Sequence, residues 1–112
     1  MPENTVYQNY ITELRRGSLT MAVLGCLKKP YYGYALLQKM QSDGVDIEAN
    51  TLYPLLRRLE SQGLLTSDWD TSESRPRKYY TMAEKGKDVF NELLAEWRQM
   101  QLSIQRICEE SS

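Results

Sequence analysis

The chain has 112 residues, 41% of them hydrophobic, and a formal net charge of −1. This length allows one domain with a small core and is too short for two independent domains. No apolar run approaches the roughly 20 residues that span a bilayer, and the start, MPENTVYQNY, lacks the basic-then-apolar layout of a signal peptide. We therefore expect a cytoplasmic protein with no membrane partner.

The composition argues against most enzyme classes because the chain contains no histidine. Histidine is the commonest general base and a usual zinc ligand, so many catalytic and metal sites are excluded. Glycine-rich phosphate loops and calcium-loop carboxylate clusters are also missing from the sequence. Cys26 and Cys108 have neither metal-ligand nor disulfide spacing. We expect no enzyme activity, no metal and no cofactor; an enzyme that relies on carboxylates alone is the remaining alternative.

Two helices are predicted in the first half of the chain. Apolar residues at helical spacing predict the first from about Val6 to Lys28, with Gly17-Ser18 as either a weak point or a true break. Pro30 then ends it, because proline keeps the preceding residue out of helical geometry. The second helix is predicted from about Tyr31 to Ser42, and Asp43-Gly44 closes it.

A third helix is predicted within NTLYPLLRRLESQG, residues 50–63, after a segment at 45–47 that is compatible with a very short strand. Pro54 belongs in a first turn or at a kink, which places the helix start near Asn50-Thr51, and Gly63 ends the helix. Whether Pro54 also shapes a functional surface is left open. One face carries Leu52, Leu55, Leu56 and Leu59, and the opposite face carries Asn50, Pro54, Arg57, Arg58 and Ser61.

A β-hairpin is predicted after the third helix. The segments LLTSDW and RKYYTM are rich in apolar and aromatic residues, and a polar segment, DTSESRP, separates them. Three helices and a hairpin form the order of a winged helix-turn-helix, in which the third helix enters the major groove of DNA and the hairpin is a wing along the backbone. Cations gather in both elements, as Arg57 and Arg58 on the helix and Arg75, Arg77 and Lys78 on the wing.

The motifs YYGYALLQKM, NTLYPLLRRLESQGLL and RPRKYYTMAEKG resemble, in order and spacing, those of the PadR family of bacterial transcriptional regulators. The resemblance covers about residues 12–90, and it departs from the family at Ser74, a wing position where glycine is frequent. By analogy with the family, Tyr53 lies at the DNA backbone; packing against the second helix is the alternative. The predicted DNA-binding residues are Tyr34, Asn50, Thr51, Tyr53, Pro54, Arg57, Arg58, Arg75, Arg77 and Lys78.

The last segment predicts a long helix with an apolar seam. Thr81 to Glu84 has the pattern of a capping box, after which apolar residues recur every three or four positions. Phe90 and Leu93 could cover their own core, whereas residues 97–107 extend beyond so small a domain and indicate an intermolecular partner. The first helix could pack against the partner's last helix. The predicted dimerisation residues are Tyr10, Leu14, Phe90, Leu93, Trp97, Met100, Ile104 and Ile107.

The resemblance also implies an effector. Resemblance to small PadR-like regulators implies that the protein senses aromatic or cationic drugs or phenolic acids. In such regulators a tryptophan of the last helix can stack on a planar ligand near the dimer centre. Trp97 occupies the matching position, with Leu14, Met21 and Gln101 as wall residues. Alternatively, Trp97 only fills the dimer interface.

The sequence therefore predicts a mainly α fold with a small β-hairpin, as a winged helix-turn-helix plus a long C-terminal dimerisation helix. The DNA-binding domain, including the first helix, is placed at residues 1–82 and the dimerisation helix at residues 83–112. The predicted function is that of a homodimeric, sequence-specific repressor that binds double-stranded DNA and is released by a planar hydrophobic or aromatic effector. The alternative is a winged-helix and coiled-coil module that binds protein and not DNA.

Overall fold

The computed structural model describes residues 2–111, and the side chains of residues 5–110. The helices and strands follow the order α-α-β-α-α-β-β-α, which confirms the predicted mainly helical fold with a small hairpin. In chain order, they are α1 (Pro2–Arg16), α2 (Leu19–Cys26), β1 (Tyr31–Tyr32), α3 (Gly33–Ser42), α4 (Ala49–Ser61), β2 (Leu65–Asp70), β3 (Arg77–Met82) and α5 (Glu84–Ser111).

The first predicted helix is two helices with a true break at Gly17-Ser18. The Ser18 amide and hydroxyl both donate to the Arg15 carbonyl, at 3.0 and 2.8 Å, and these bonds close the end of α1. A serine side chain that bonds to the backbone in this way competes with helical hydrogen bonding. The break therefore separates α1 from the apolar α2, whose Val23 and Leu24 are fully buried.

Two predictions are wrong here, one for the start of the second helix and one for the loop that follows it. Tyr31 and Tyr32 do not start the helix, because they form β1 and pair antiparallel with Tyr80 and Tyr79 of the wing. This pairing joins segments far apart in sequence, so local periodicity does not show it. Residues 45–47 form no strand either; the loop is held by Gln41, whose side chain donates to the Ile47 carbonyl at 2.9 Å.

Helix α4 begins one residue earlier than predicted, and Gly63, with φ +80°, follows its end as expected. Pro54 is the sixth residue of α4, so of the two predicted places, the first turn or a kink, the first turn is wrong. A proline there leaves the Asn50 carbonyl without its intrahelical donor. Asn50 is exposed, so water can satisfy that carbonyl and the helix continues through the proline.

The hydrophobic core lies where α2, α3, α4 and the root of the hairpin meet. It is built from aliphatic side chains on the inward faces of these elements, together with one tyrosine of the wing. The buried residues are Val23, Leu24, Leu27, Leu36, Leu37, Met40, Ile47, Leu52, Leu55, Leu56, Leu59, Leu64, Leu65 and Tyr80. The leucine face that was predicted for α4 is therefore the face that attaches this helix to the domain.

The wing is a three-stranded antiparallel sheet in the order β1-β3-β2. Its β2 and β3 strands match the predicted hairpin, but the predicted capping box is wrong. Thr81 is still in β3, where it pairs with Thr66, and α5 begins at Glu84. The Ala83 amide donates instead to the Leu64 carbonyl, at 3.0 Å, which ties the start of α5 to the hairpin root.

Helix α5 approaches the domain closely at two glycines. A methyl group on Gly86 would overlap the Leu64 carbonyl oxygen, and one on Gly25 of α2 would lie 3.1 Å from the Phe90 ring. Side chains larger than hydrogen would therefore push α5 away from the hairpin root and from α2. These contacts fix the first turns of α5 on the core, while its second half extends beyond the domain.

Helix α1 lies at the surface, with most of its apolar side chains exposed. One contact to the rest of the chain is an ion pair between Arg15 and Asp46, 3.0 Å apart. The chain measures 60 × 37 × 23 Å along its principal axes, which reflects the extended helices. Within residues 2–111, no helix combines the length and the apolar character needed to cross a membrane.

Candidate nucleic-acid interface

Helix α4 presents a cationic face to solvent because its leucines fix its rotation about the helix axis. Leu52, Leu55, Leu56 and Leu59 are buried, so the residues between them must point outward. Arg57 and Arg58 are exposed, and within the described part of the chain neither guanidinium forms an ion pair or hydrogen bond. The other predicted residues on this side, Asn50, Thr51 and Pro54, are exposed as well.

The two tyrosines predicted at the interface have different surroundings. Tyr34, at the start of α3, is 64% exposed. Tyr53 is half-buried and packs on the start of α3, where a methyl group on Gly33 would lie 2.6 Å from its ring. Tyr53 thus makes the packing contact that was its alternative role, and contact with DNA stays a prediction. Both line a cleft of about 260 Å³ between α3, α4 and β3, with Tyr32, Gly33, Arg77, Lys78 and Tyr80.

The three predicted wing cations do not form one cluster. Arg77 and Lys78 are consecutive in β3, so their side chains leave opposite faces of the sheet. Arg77 stacks on the Tyr32 ring, 4.1 Å from its centroid. Lys78 faces α4 instead, and Arg75 is exposed in the loop with no ion pair among the described residues. Arg77 also lies 3.8 Å from the Glu73 carboxylate and Lys78 lies 3.2 Å from that of Glu60, so Arg75 is the wing cation that has no ion pair within the described residues.

The base of the wing loop is organised by Asp70. Its carboxylate accepts hydrogen bonds from the Ser72 hydroxyl at 2.6 Å, the Ser72 amide at 3.0 Å and the Tyr32 hydroxyl. The bonds from Ser72 and then Tyr32 lower the pKa of Asp70 to about 2. Because Tyr32 belongs to β1, these bonds tie the end of β2 to the opposite side of the sheet. The loop that carries Arg75 thus starts from a fixed point.

A second contact joins the wing to α4 directly. Glu60 of α4 accepts a hydrogen bond from the Ser67 hydroxyl of β2 and pairs with Lys78 of β3, whose Nζ lies 3.2 Å from its Oε1. The Ser67 bond lowers the pKa of the Glu60 carboxyl and Lys78 adds to this effect, while burial opposes it. Sequence reasoning missed Glu60, although it is the one acidic residue in an otherwise basic helix.

An exposed aromatic side chain also lies on the wing. Trp69 is 58% exposed and pairs in register with Lys78, so both side chains leave the same face of the sheet. That face is the one turned toward α4, because Lys78 reaches Glu60 from it. Trp69 therefore stands beside the gap between wing and α4 and takes no part in the buried core.

Comparison with known proteins decides the family. Residues 23–92 match the Transcriptional regulator PadR-like family. The chain belongs to the PadR family. It is 47% identical to a PadR family transcriptional regulator from Eggerthella lenta, whose crystal structure is similar with a TM-score of 0.91 over 97% of each chain.

Two further proteins show the same relationship. A PadR-like transcription factor from Bacteroides fragilis is 34% identical, with a TM-score of 0.75, over 88% of this chain and 98% of that chain. The transcriptional regulator Rv3488 of Mycobacterium tuberculosis is 30% identical over 81 residues, 71% of this chain and 76% of that protein. PadR proteins are transcriptional regulators that bind DNA, so the family confirms the predicted winged-helix fold and the non-enzymatic class.

This PadR chain also has an apolar groove between its first two helices and α5. The groove has a volume of about 530 Å³, and it brings together all four residues predicted to contact an effector: Leu14, Met21, Trp97 and Gln101. Trp97 is 45% exposed, so much of its indole is available to another molecule. Glu96 and Arg15 supply charges to the same lining.

The apolar seam of α5 divides at Trp97. Phe90 and Leu93 are half-buried and pack on the chain's own core, which is the alternative that the sequence left open for them. From Trp97 onward, Met100, Ile104 and Ile107 are exposed on the same side of the helix. On α1, Tyr7, Tyr10 and Leu14 are exposed too, and Leu14 reaches 76%.

Proposed function

We propose that the chain is a dimeric, sequence-specific DNA-binding transcriptional repressor of the cytoplasm. The observation that carries this proposal is the outward face of α4, where Arg57 and Arg58 are exposed beside the wing and have no ion pair with any described residue. A helix enters the major groove of B-DNA, and arginine can donate to guanine edges or to phosphate. Arg75 adds an exposed cation on the wing loop, where a contact to the DNA backbone fits. Occupation of a promoter by such a protein would exclude polymerase.

The net charge of −1 does not oppose DNA binding, because the described cations are unevenly placed. The guanidinium groups of Arg57, Arg58 and Arg75 lie on α4 and the wing loop, whereas the charge of Lys78 is neutralised by Glu60. Local potential, and not the sum over the chain, governs attraction to a polyanion. The proposed contact surface therefore consists of α4 and the wing loop, with Tyr34 at its border.

Dimerisation is supported by the apolar surface on α1 and α5. The side chains of Trp97, Met100 and Ile104 form an exposed stripe on α5, and α1 exposes a second apolar surface nearby. A contiguous apolar patch on a monomer usually marks an interaction site. Packing of α1 and α5 against a second copy would cover both surfaces. A two-fold dimer would also present two α4 helices to successive major grooves.

An effector site is supported by the groove around Trp97. Its volume of about 530 Å³ lies within the roughly 300–1,000 Å³ of small-molecule pockets, and its lining is mainly apolar. A planar aromatic ligand could stack on the Trp97 indole, and Glu96 could pair with a cationic group. Because this groove lies beside the proposed dimer surface, a ligand that favours one dimer arrangement would shift the spacing of the α4 helices and release DNA.

DNA binding is tested with a duplex selected by the wild-type chain from a random library. Replacing Arg57 and Arg58 by alanine should weaken binding by about 10- to 100-fold, as expected when side chains that bind bases or phosphates are removed. The slope of log K against log salt should fall by about 0.9 for each phosphate that the variant no longer neutralises. Arg75→Ala should lower the slope in the same way. Fluorescence anisotropy across a salt series measures both quantities.

The matched control for Arg75→Ala is Arg106→Ala, which removes one positive charge from an exposed site on α5 and should leave affinity and slope nearly unchanged. If the wild-type chain shows no salt-dependent retention of any duplex, the repressor is ruled out. A winged-helix module that binds protein is then the better description.

The dimer is tested by introducing charged residues into the exposed apolar stripe of α5. Trp97→Glu combined with Ile104→Glu should yield monomers, because burying two carboxylates at an apolar interface is costly. Sedimentation velocity should show half of the wild-type mass. The control is Gln99→Glu with Arg106→Glu, exposed positions on the opposite side of α5, which should leave the dimer intact. Persistent dimers in the first variant would place the interface elsewhere.

The effector is tested by fluorescence of Trp97 alone. The chain has two tryptophans, so Trp69→Phe makes Trp97 the single emitter. Titration with cationic and neutral planar aromatic compounds should quench its emission with saturation. The Trp97→Phe variant, which keeps Trp69, should show no saturable quenching. Absence of saturable quenching across the whole panel would count against an aromatic effector in this groove.

A further inference from the structure

Glu60 is placed where a carboxylate would disfavour DNA binding. It is the single acidic side chain of α4, three residues from Arg57 and two from Arg58. On the surface proposed to meet DNA, a free carboxylate would repel phosphate. Nevertheless its side chain is only 31% exposed and makes specific contacts. A role for Glu60 must therefore depend on the contacts that its side chain makes and not on attraction to DNA.

The contacts of Glu60 connect α4 with both long strands of the wing. One carboxylate oxygen accepts from the Ser67 hydroxyl on β2, and the other lies 3.2 Å from Lys78 Nζ on β3. Lys78 is held further by the Tyr80 ring, 5.2 Å below its ammonium group. All of these side chains leave the same face of the sheet, as the strand register requires. Glu60 is thus a single side chain that fastens both strands to α4.

These contacts lie above the root of the hairpin. At the root, the Leu64 amide donates to the Leu59 carbonyl at 2.9 Å, and this bond joins only the end of α4 to the start of the wing. The pairing of β3 with β1 and the bond from Tyr32 to Asp70 hold the strands to one another, but β1 leads into α3 and does not set the distance from the wing to α4. Without a further contact to α4, the sheet could tilt relative to that helix. The paired residues Leu65 and Met82 mark the root of the hairpin. The contacts of Glu60 limit that motion because they lie further out, at Ser67, two residues from Leu65, and at Lys78, four residues from Met82.

The charges of this cluster also bear on DNA binding. The carboxylate of Glu60 and the ammonium group of Lys78 nearly cancel at a distance, so the pair adds little to attraction for phosphate. Half-exposed ion pairs contribute modestly to stability as well. What the pair does determine is the distance between α4 and the wing. That distance matters because both elements must meet their sites on one duplex together.

We propose that Glu60 is a positioning residue for DNA recognition, which holds the wing at a set distance from α4 so that both elements fit the cognate duplex. The proposal rests on the DNA binding proposed above. Without the Glu60 contacts, the cations would stay in place but their spacing would vary. Cognate DNA, which requires one arrangement, would then bind less tightly, whereas non-cognate DNA, bound through phosphates in many arrangements, would not.

The test is Glu60→Gln, because simple electrostatics and positioning predict opposite results. Removal of a negative charge near DNA should strengthen binding to every duplex if charge alone matters. If Glu60 positions the wing, affinity for the selected duplex should fall about tenfold, as for removal of a charge-assisted hydrogen bond. Affinity for a scrambled duplex of equal length, and its salt slope, should stay the same or rise. Anisotropy with both duplexes, well below the unfolding temperature, gives their ratio.

Two further variants complete the design. Glu48→Gln removes the same charge next to the other end of α4, where Glu48 makes no side-chain cap hydrogen bond, and should leave the ratio unchanged. Ser67→Ala removes one partner of Glu60 without changing any charge, and should lower the ratio by a smaller factor even if Glu60→Gln folds poorly. An unchanged ratio in both the Glu60 and Ser67 variants overturns the positioning role. If the wild-type chain binds no duplex, DNA binding itself has failed.

Discussion

Four buried leucines attach α4 to the core and fix its rotation about the helix axis. Leu52, Leu55, Leu56 and Leu59 are at most 7% exposed, and burying each such side chain contributes about 2 kcal/mol. Rotation of α4 about its axis would expose these leucines and bury arginine, so the helix has one orientation. The same packing that stabilises the domain therefore directs Arg57 and Arg58 to solvent, where the proposed contacts to DNA would form.

Packing on the same core also determines where the wing and α5 lie. The wing starts at the end of α4, and Glu60 and Asp70 fix its strands on either face. Helix α5 starts at the hairpin root, where Gly86 lets it approach the Leu64 carbonyl, and it crosses α2 at Gly25. Its direction beyond Trp97 follows from these two contacts. The packing that orients the α4 face thus also positions the groove and the apolar stripe. Through this shared packing, a ligand near Trp97 could affect the spacing of the α4 helices in the proposed dimer.

How much the sequence predicts depends on the range of the interaction. The α4 leucine face and the hairpin follow from local periodicity, and both are confirmed. The strand at Tyr31 and Tyr32 needs pairing with a segment about 50 residues later in the chain, so local pattern predicted a helix there. The separation of Arg77 from Lys78 follows from strand alternation, but their partners Tyr32 and Glu60 depend on tertiary packing. The groove residues came from family resemblance, and nothing in their spacing alone would have joined Leu14 to Trp97.

In the proposed two-fold dimer, the outward face of each α4 helix enters the major groove of DNA. Methylation interference on a duplex selected by the wild-type chain tests this most directly, since methylation of guanine N7 alters the major groove alone. We predict interference in two clusters separated by one helical turn, about 10 base pairs. Binding that is insensitive to N7 methylation throughout the protected sequence, or a single unpaired cluster, would show that two α4 helices do not enter the major groove in this way.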